Sequence, residues 1–91
     1  MNGYVLKLYI AGLTARSERA LTNLRRLCQQ RLDNSCDIIV VDVLEHPQVA
    51  EDEKILATPM LVREEPPPHR RVIGDLSDED AVLSGLGVVE K

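Results

Sequence analysis

The sequence predicts an α/β fold ordered βαβ(α)ββα, on three observations. An alternating apolar run, an amphipathic helical stretch and a second apolar run follow one another over residues 4–44. Two shorter strand-like runs then flank a proline-rich loop, and a strongly capped helix start follows them. The 91 residues, 44% hydrophobic, make one small domain with a modest core.

The first strand is "YVLKLYIAG", Tyr4 to Gly12, which places Tyr4, Leu6, Leu8 and Ile10 on one face and Val5, Lys7 and Tyr9 on the other. A helix follows, with Ser17 as its expected N-cap, and runs to about Leu32. Ala20, Leu21, Leu24, Leu27, Cys28 and Leu32 form its apolar stripe, while Arg19, Asn23 and Arg26 share a more exposed face. "CDIIVVDVL", Cys36 to Leu44, holds five β-branched residues with little alternation, the pattern of an interior strand covered on both faces. Strand, helix and strand together predict parallel pairing.

From His46 to Ala57 the spacing predicts a brief amphipathic helix, with Pro47 in its first turn and Val49, Ala50, Ile55 and Leu56 as its apolar positions. Pro59 to Val62 reads as a strand, Glu64 to His69 as a loop because prolines supply no backbone donors, and Arg70 to Gly74 as an antiparallel strand. The last helix starts near Ser77, with Asp78, Glu79 and Asp80 at its positive end and Leu76 and Ala81 at the positions of a hydrophobic staple. Its far end is expected to be weak, because Gly85 and Gly87 each cost about 1 kcal/mol relative to alanine in a helix and Val88–Val89 favour a strand.

This order matches a thioredoxin-like domain, and the chemistry that normally accompanies it can be tested in the sequence. A redox pair belongs between the first strand and the first helix, where a helix N-terminus lowers a thiol pKa. That position reads "AGLTARS", without cysteine, and no histidine adjoins Thr14 or Ser17 to activate a hydroxyl. Cys28 and Cys36 lie eight residues apart, a spacing that is neither CxxC nor a zinc pattern, and both are read as structural. His46 and His69 stand beside prolines in loops. No phosphate loop, metal cluster or cofactor motif is present, so a thiol enzyme is disfavoured and no cofactor is expected.

The formal net charge is −4. Residues 1–35 carry Lys7, Arg16, Arg19, Arg25, Arg26 and Arg31 against Glu18 and Asp33, whereas residues 36–65 carry eight acids against Lys54 and Arg63. That asymmetry suits protein partners or self-association better than nucleic acid. No apolar run approaches the roughly 18–20 residues of a membrane span, and the N-terminus reads as a strand rather than a signal peptide, so a cytoplasmic location is expected.

Particular strings now become informative. "YVLKLYIAG", "VDVLEHPQVAEDEKILATPMLV", "PPPHRRVIGDLSD" and "VLSGL" together closely resemble the KaiB family of circadian clock proteins, in the same order from Tyr4 to about Leu86. The resemblance implies a protein that is not an enzyme, binds the ATPase ring of KaiC, sequesters KaiA in that complex and competes with the kinase SasA. It also implies fold switching, between a tetrameric ground state with a differently folded C-terminal half and a monomeric thioredoxin-like state that binds KaiC. A homo-oligomer, tetramer or dimer, is therefore expected.

By the same resemblance, Gly85 and Tyr4 match positions that influence the switch, and Lys54 matches a basic residue linked to KaiC binding. Arg19, with Asn23 on the same helix face, and Arg70 and Arg71 are further partner-binding candidates. Gly87, Pro59, Pro66, Pro67 and Pro68 are read as weak points and joints of the segment that packs two ways. Gly87 stands where relatives usually carry an acid, and Asp37 and Ile39 differ from the residues typical of the KaiA-contacting edge. These departures imply a homologue acting through KaiC without KaiA, in timing or in stress responses; a stand-alone SasA-like sensory domain is the other reading.

Overall fold

The computed structural model describes residues 3–88, so Val89, weighed above, lies outside it. Seven elements follow in order: β1 Tyr4–Ile10, α1 Ala15–Arg31, β2 Cys36–Asp42, α2 Pro47–Asp52, β3 Met60–Glu65, β4 Arg70–Ile73 and α3 Glu79–Leu86. The sheet order is β2-β1-β3-β4. β1 and β2 are parallel, from Tyr4↔Cys36 to Ile10↔Asp42. β3 runs antiparallel to both β1 and β4, as expected for the last two strands.

The even-numbered face of β1 carries Leu6, Leu8 and Ile10 into the main core. There α1 contributes Ala20, Leu24, Leu27 and Cys28, and α3 contributes Val82, Leu83 and Leu86. The opposite face holds a smaller cluster of Tyr9, Met60 and Val62, against which Val41, Val43, Val49 and Ile55 pack. α1 and α3 thus share one side of the sheet, and α2 lies on the other. The peptide bonds preceding Pro59, Pro66 and Pro68 are cis.

Several expectations need correcting. β2 is an edge strand, not an interior one: it pairs with β1 alone, and Ile39 and Val40 are 43% and 42% exposed. A β-branched run specifies a pleated surface, but how much of that surface is covered depends on distant elements. α1 begins earlier than expected. Thr14 is its N-cap and Ser17 the N3 residue of a reciprocal capping box, with Ser17 N–H donating to Thr14 Oγ1 and Thr14 N–H to Ser17 Oγ. At α3 the cap is Asp78, whose carboxylate accepts from the Ala81 N–H, so Ser77 lies outside the helix and Leu76 and Ala81 are not a staple pair.

The ends of the two short helices are the most informative difference. α2 stops at Asp52 rather than Ala57, and Leu56 is 92% exposed. Lys54 N–H bonds to the Glu51 carbonyl and Ile55 N–H to the Ala50 carbonyl, with Lys54 at φ +55°. α3 ends in the same way: Gly87 N–H bonds to Ser84, Val88 N–H to Leu83, and Gly87 has φ +70°. Both are Schellman terminations, which require a left-handed residue just past the helix. Gly87 is therefore the terminator of α3 and not a weak point within it. Val88 extends no strand and packs on the main core.

Candidate partner-binding surface

The candidate residues fall in three places. Arg19 and Asn23, on the exposed side of α1, are tied to the loop that follows β4. Arg19 pairs with the Asp75 carboxylate at 3.8 Å, and Asn23 Nδ2 donates to the Asp75 carbonyl at 2.8 Å. Hydrogen bonds from Ser77 hold the Asp75 carboxyl below its ordinary value, with a smaller contribution from Arg19. Arg26 turns back to donate to Asn23 Oδ1.

Lys54 and Arg71 form the second group. Arg71 reaches from β4 and donates to the backbone carbonyls of both Glu53 and Lys54. This clamp fixes the turn that ends α2 and leaves the Lys54 side chain in solvent. Beneath it Tyr9 is buried, and its hydroxyl has no hydrogen-bond partner among the described residues. Burial pushes the Tyr9 phenol up, helped by the negative charges of Glu64 and Glu53. Lys7 pairs with Glu64 at 3.7 Å on the same face.

Arg70 stands apart at the start of β4, across from Arg63, and its guanidinium borders Gly87. Arg63 is buried and donates through Nε and Nη2 to the Pro68 carbonyl, anchoring the Pro66–Pro68 loop. Tyr4 opens β1, where it is half-buried against the main core and its N–H bonds to the Ser35 carbonyl at 2.7 Å.

At Gly85, α3 passes close over β4. A Cβ there would stand 2.7 Å from Val72 Cγ2, but the other Val72 side-chain atoms lie 3.9 Å or more away. Val72 also lines a cavity of about 220 Å³ with Ile73, Leu76 and Val82. Alanine at this position gains helix propensity, and Val72 has to shift to admit it.

A set of apolar side chains was not foreseen from sequence. Leu13, Leu44, Leu56 and Ile73 are 83%, 69%, 92% and 59% exposed. Leu13 and Leu44 follow the C-terminal ends of β1 and β2, Leu56 precedes the start of β3 and Ile73 is the last residue of β4, so all four gather at one end of the sheet. The Asp42 carboxylate braces two of these loops by accepting from the N–H groups of Gly12 and Leu44. Arg19 and Asn23 on one side of the sheet and Lys54 on the other flank this apolar end. The hydroxyls of Thr14 and Ser17, which stand here where a thioredoxin carries its thiols, are committed to the cap. Both cysteines lie toward the other end of α1.

The architecture is that of a thioredoxin-like domain. It matches the solution structure of the N-terminal domain of Synechococcus elongatus SasA with a TM-score of 0.77 at 20% identity, over 96% of this chain and 86% of that one. It matches yeast mitochondrial thioredoxin 3 with a TM-score of 0.72 at 19% identity, over 96% and 79%. The KaiB domain family matches residues 7–88. The circadian clock protein KaiB3 of a Synechocystis strain is 48% identical over 98% of this chain and 87% of its own length. The circadian clock oscillator protein KaiB of a Prochlorococcus marinus strain is 54% identical over 94% and 74%. The chain belongs to the KaiB family. No helix among the described residues is long and apolar enough to cross a membrane.

Proposed function

We propose that this chain is a non-catalytic clock or timing regulator in the cytoplasm that binds the ATPase ring of a KaiC-type protein through the apolar sheet end and its flanking cations. Lys54 carries the argument. The left-handed position that ends a helix normally belongs to glycine, and a side chain there costs about 1 kcal/mol or more. Keeping lysine at φ +55°, with its turn clamped by Arg71, fixes the backbone from which one cation projects beside exposed apolar surface. A strained, solvent-facing charge fits recognition better than stability.

Lys54→Gly separates the two roles. It should raise the stability of the fold by about 1 kcal/mol, by relieving the left-handed lysine, while weakening binding to the KaiC-type ATPase. Lys54→Ala combined with Arg19→Ala should reduce co-elution with that ATPase, measured with ATP and with ADP over many hours. Unaltered co-elution of the double variant would remove these residues from the interface, and no association of the wild type would defeat the proposal.

The family also motivates a second packing of the C-terminal half within a tetramer. Gly85→Ala should favour the fold described above by up to about 1 kcal/mol, a shift of roughly fivefold in the ratio of the two states. Size-exclusion chromatography should then show less tetramer than in the wild type. A wild type that elutes as a monomer at every concentration fits a SasA-like sensory role instead.

A further inference from the structure

Cys28 and Cys36 are separate in sequence but adjacent in space. α1 ends at Arg31, and Asp33 and Asn34 reverse the chain with φ of +52° and +58°. Asn34 N–H bonds back to the Cys28 carbonyl at 2.8 Å, and Ser35 N–H to the Leu32 carbonyl at 2.9 Å. The reversal delivers Cys36, the first residue of β2, against the last buried turn of α1, where both side chains join the main core and the two thiols hydrogen-bond to each other. Cys28 is 4% exposed and Cys36 is only half-buried.

We propose that Cys28 and Cys36 are a reversible dithiol–disulfide pair, oxidised by a low-molecular-weight disulfide of the glutathione type. The contact also sorts their roles. The hydrogen bond from Cys28 lowers the Cys36 thiol, and the same bond, with burial, pushes Cys28 up. The Cys36 thiolate, accessible from solvent, attacks one sulfur of the small disulfide and expels its other half as a thiolate. Cys28 then attacks the Cys36 sulfur, its proton passing to the departing small thiolate as the Cys28–Cys36 bond forms and the bond to the small thiol breaks. The protein gives up two electrons and two protons, and one small disulfide becomes two small thiols. Disulfides formed against a reducing background are typically transient or redox-sensing. The cross-link staples α1 to the edge strand within the first βαβ unit, away from the Thr14–Ser17 cap and from the Lys54 turn.

The test uses the full chain under native conditions in buffers of graded reduced and oxidised glutathione, read by intact mass and by thiol alkylation. The wild type should convert to a single-chain species lighter by two hydrogens, restored by reduction. Before oxidation, Cys36 should alkylate at least about tenfold faster than Cys28. Cys28→Ser should stop at one glutathione adduct on Cys36, and Cys36→Ser should stay largely unmodified. A wild type that ends as a glutathione adduct, as a disulfide-linked pair of chains, or with both thiols free in excess oxidised glutathione overturns the proposal. The wild-type result decides the matter even where a variant folds poorly, and it is independent of any binding to an ATPase.

Discussion

Tyr9→Ala should destabilise the folded chain by about 3–5 kcal/mol, the range for truncating a buried aromatic. Tyr4 and Tyr9 are the only aromatics in the sequence, and Tyr9 is 1% exposed. With Met60 and Val62 it forms the whole buried centre of the smaller cluster, on which Val49 of α2 and Ile55 beyond it rest. A void there has few neighbours able to close it. The ring, not the hydroxyl, is what matters, because that hydroxyl has no hydrogen-bond partner among the described residues. Tyr9→Phe should accordingly change stability by less than about 1 kcal/mol. Urea unfolding at one fixed protein concentration measures both. A loss below about 1 kcal/mol in Tyr9→Ala would mean that the second face of the sheet is not packed as described. Since α2 and the Lys54 turn sit on this cluster, Tyr9→Ala should also weaken partner binding.

Gly87→Val should lower stability by about 1–3 kcal/mol, the cost of holding a side-chain-bearing residue in the left-handed region. The Schellman termination needs φ +70° at this position, and a β-branched residue is the least suited to it. Valine would cost the Gly87-to-Ser84 and Val88-to-Leu83 bonds or strain the backbone that makes them. Gly87→Asn, which tolerates the left-handed region better, should lose less. Hydrogen exchange across α3 should accelerate in Gly87→Val while β1 remains protected. Unchanged protection of the Val88 amide would contradict this account of the helix end. Gly85, two residues earlier, should respond in the opposite direction to alanine.

What could be read from sequence was what is written locally. β1, α1 and the βαβ order follow from 2-residue and 3.6-residue periodicities, which need no knowledge of the rest of the chain. The coverage of β2 was misjudged because Ile38, Ile39, Val40 and Val41 specify a strand without specifying its neighbours. Ser17 and Ser77 were plausible caps, yet Thr14 and Asp78 offer equivalent oxygens a few residues away, and only the path of the chain chooses between them. The end of α2 was hidden because a lysine occupies a position that glycine usually marks. The apolar sheet end joins residues from three separate loops and the last residue of β4, and the Cys28–Cys36 contact depends on a tight reversal after α1; neither has a signature in spacing. Of the binding candidates, Arg19, Asn23 and Lys54 flank one end of the sheet, Arg71 supports Lys54 from below, and Arg70 lies elsewhere.

Equilibrium titration of the labelled chain with a KaiC-type ATPase from the same organism, in parallel for wild type and Lys54→Gly, tests the central claim most directly. The account predicts saturable binding by the wild type and binding weaker by about tenfold in Lys54→Gly, roughly 1.4 kcal/mol, although that variant melts at a higher temperature. A wild type that shows no saturable binding, or a Lys54→Gly variant that is stabilised and binds equally well, would contradict it.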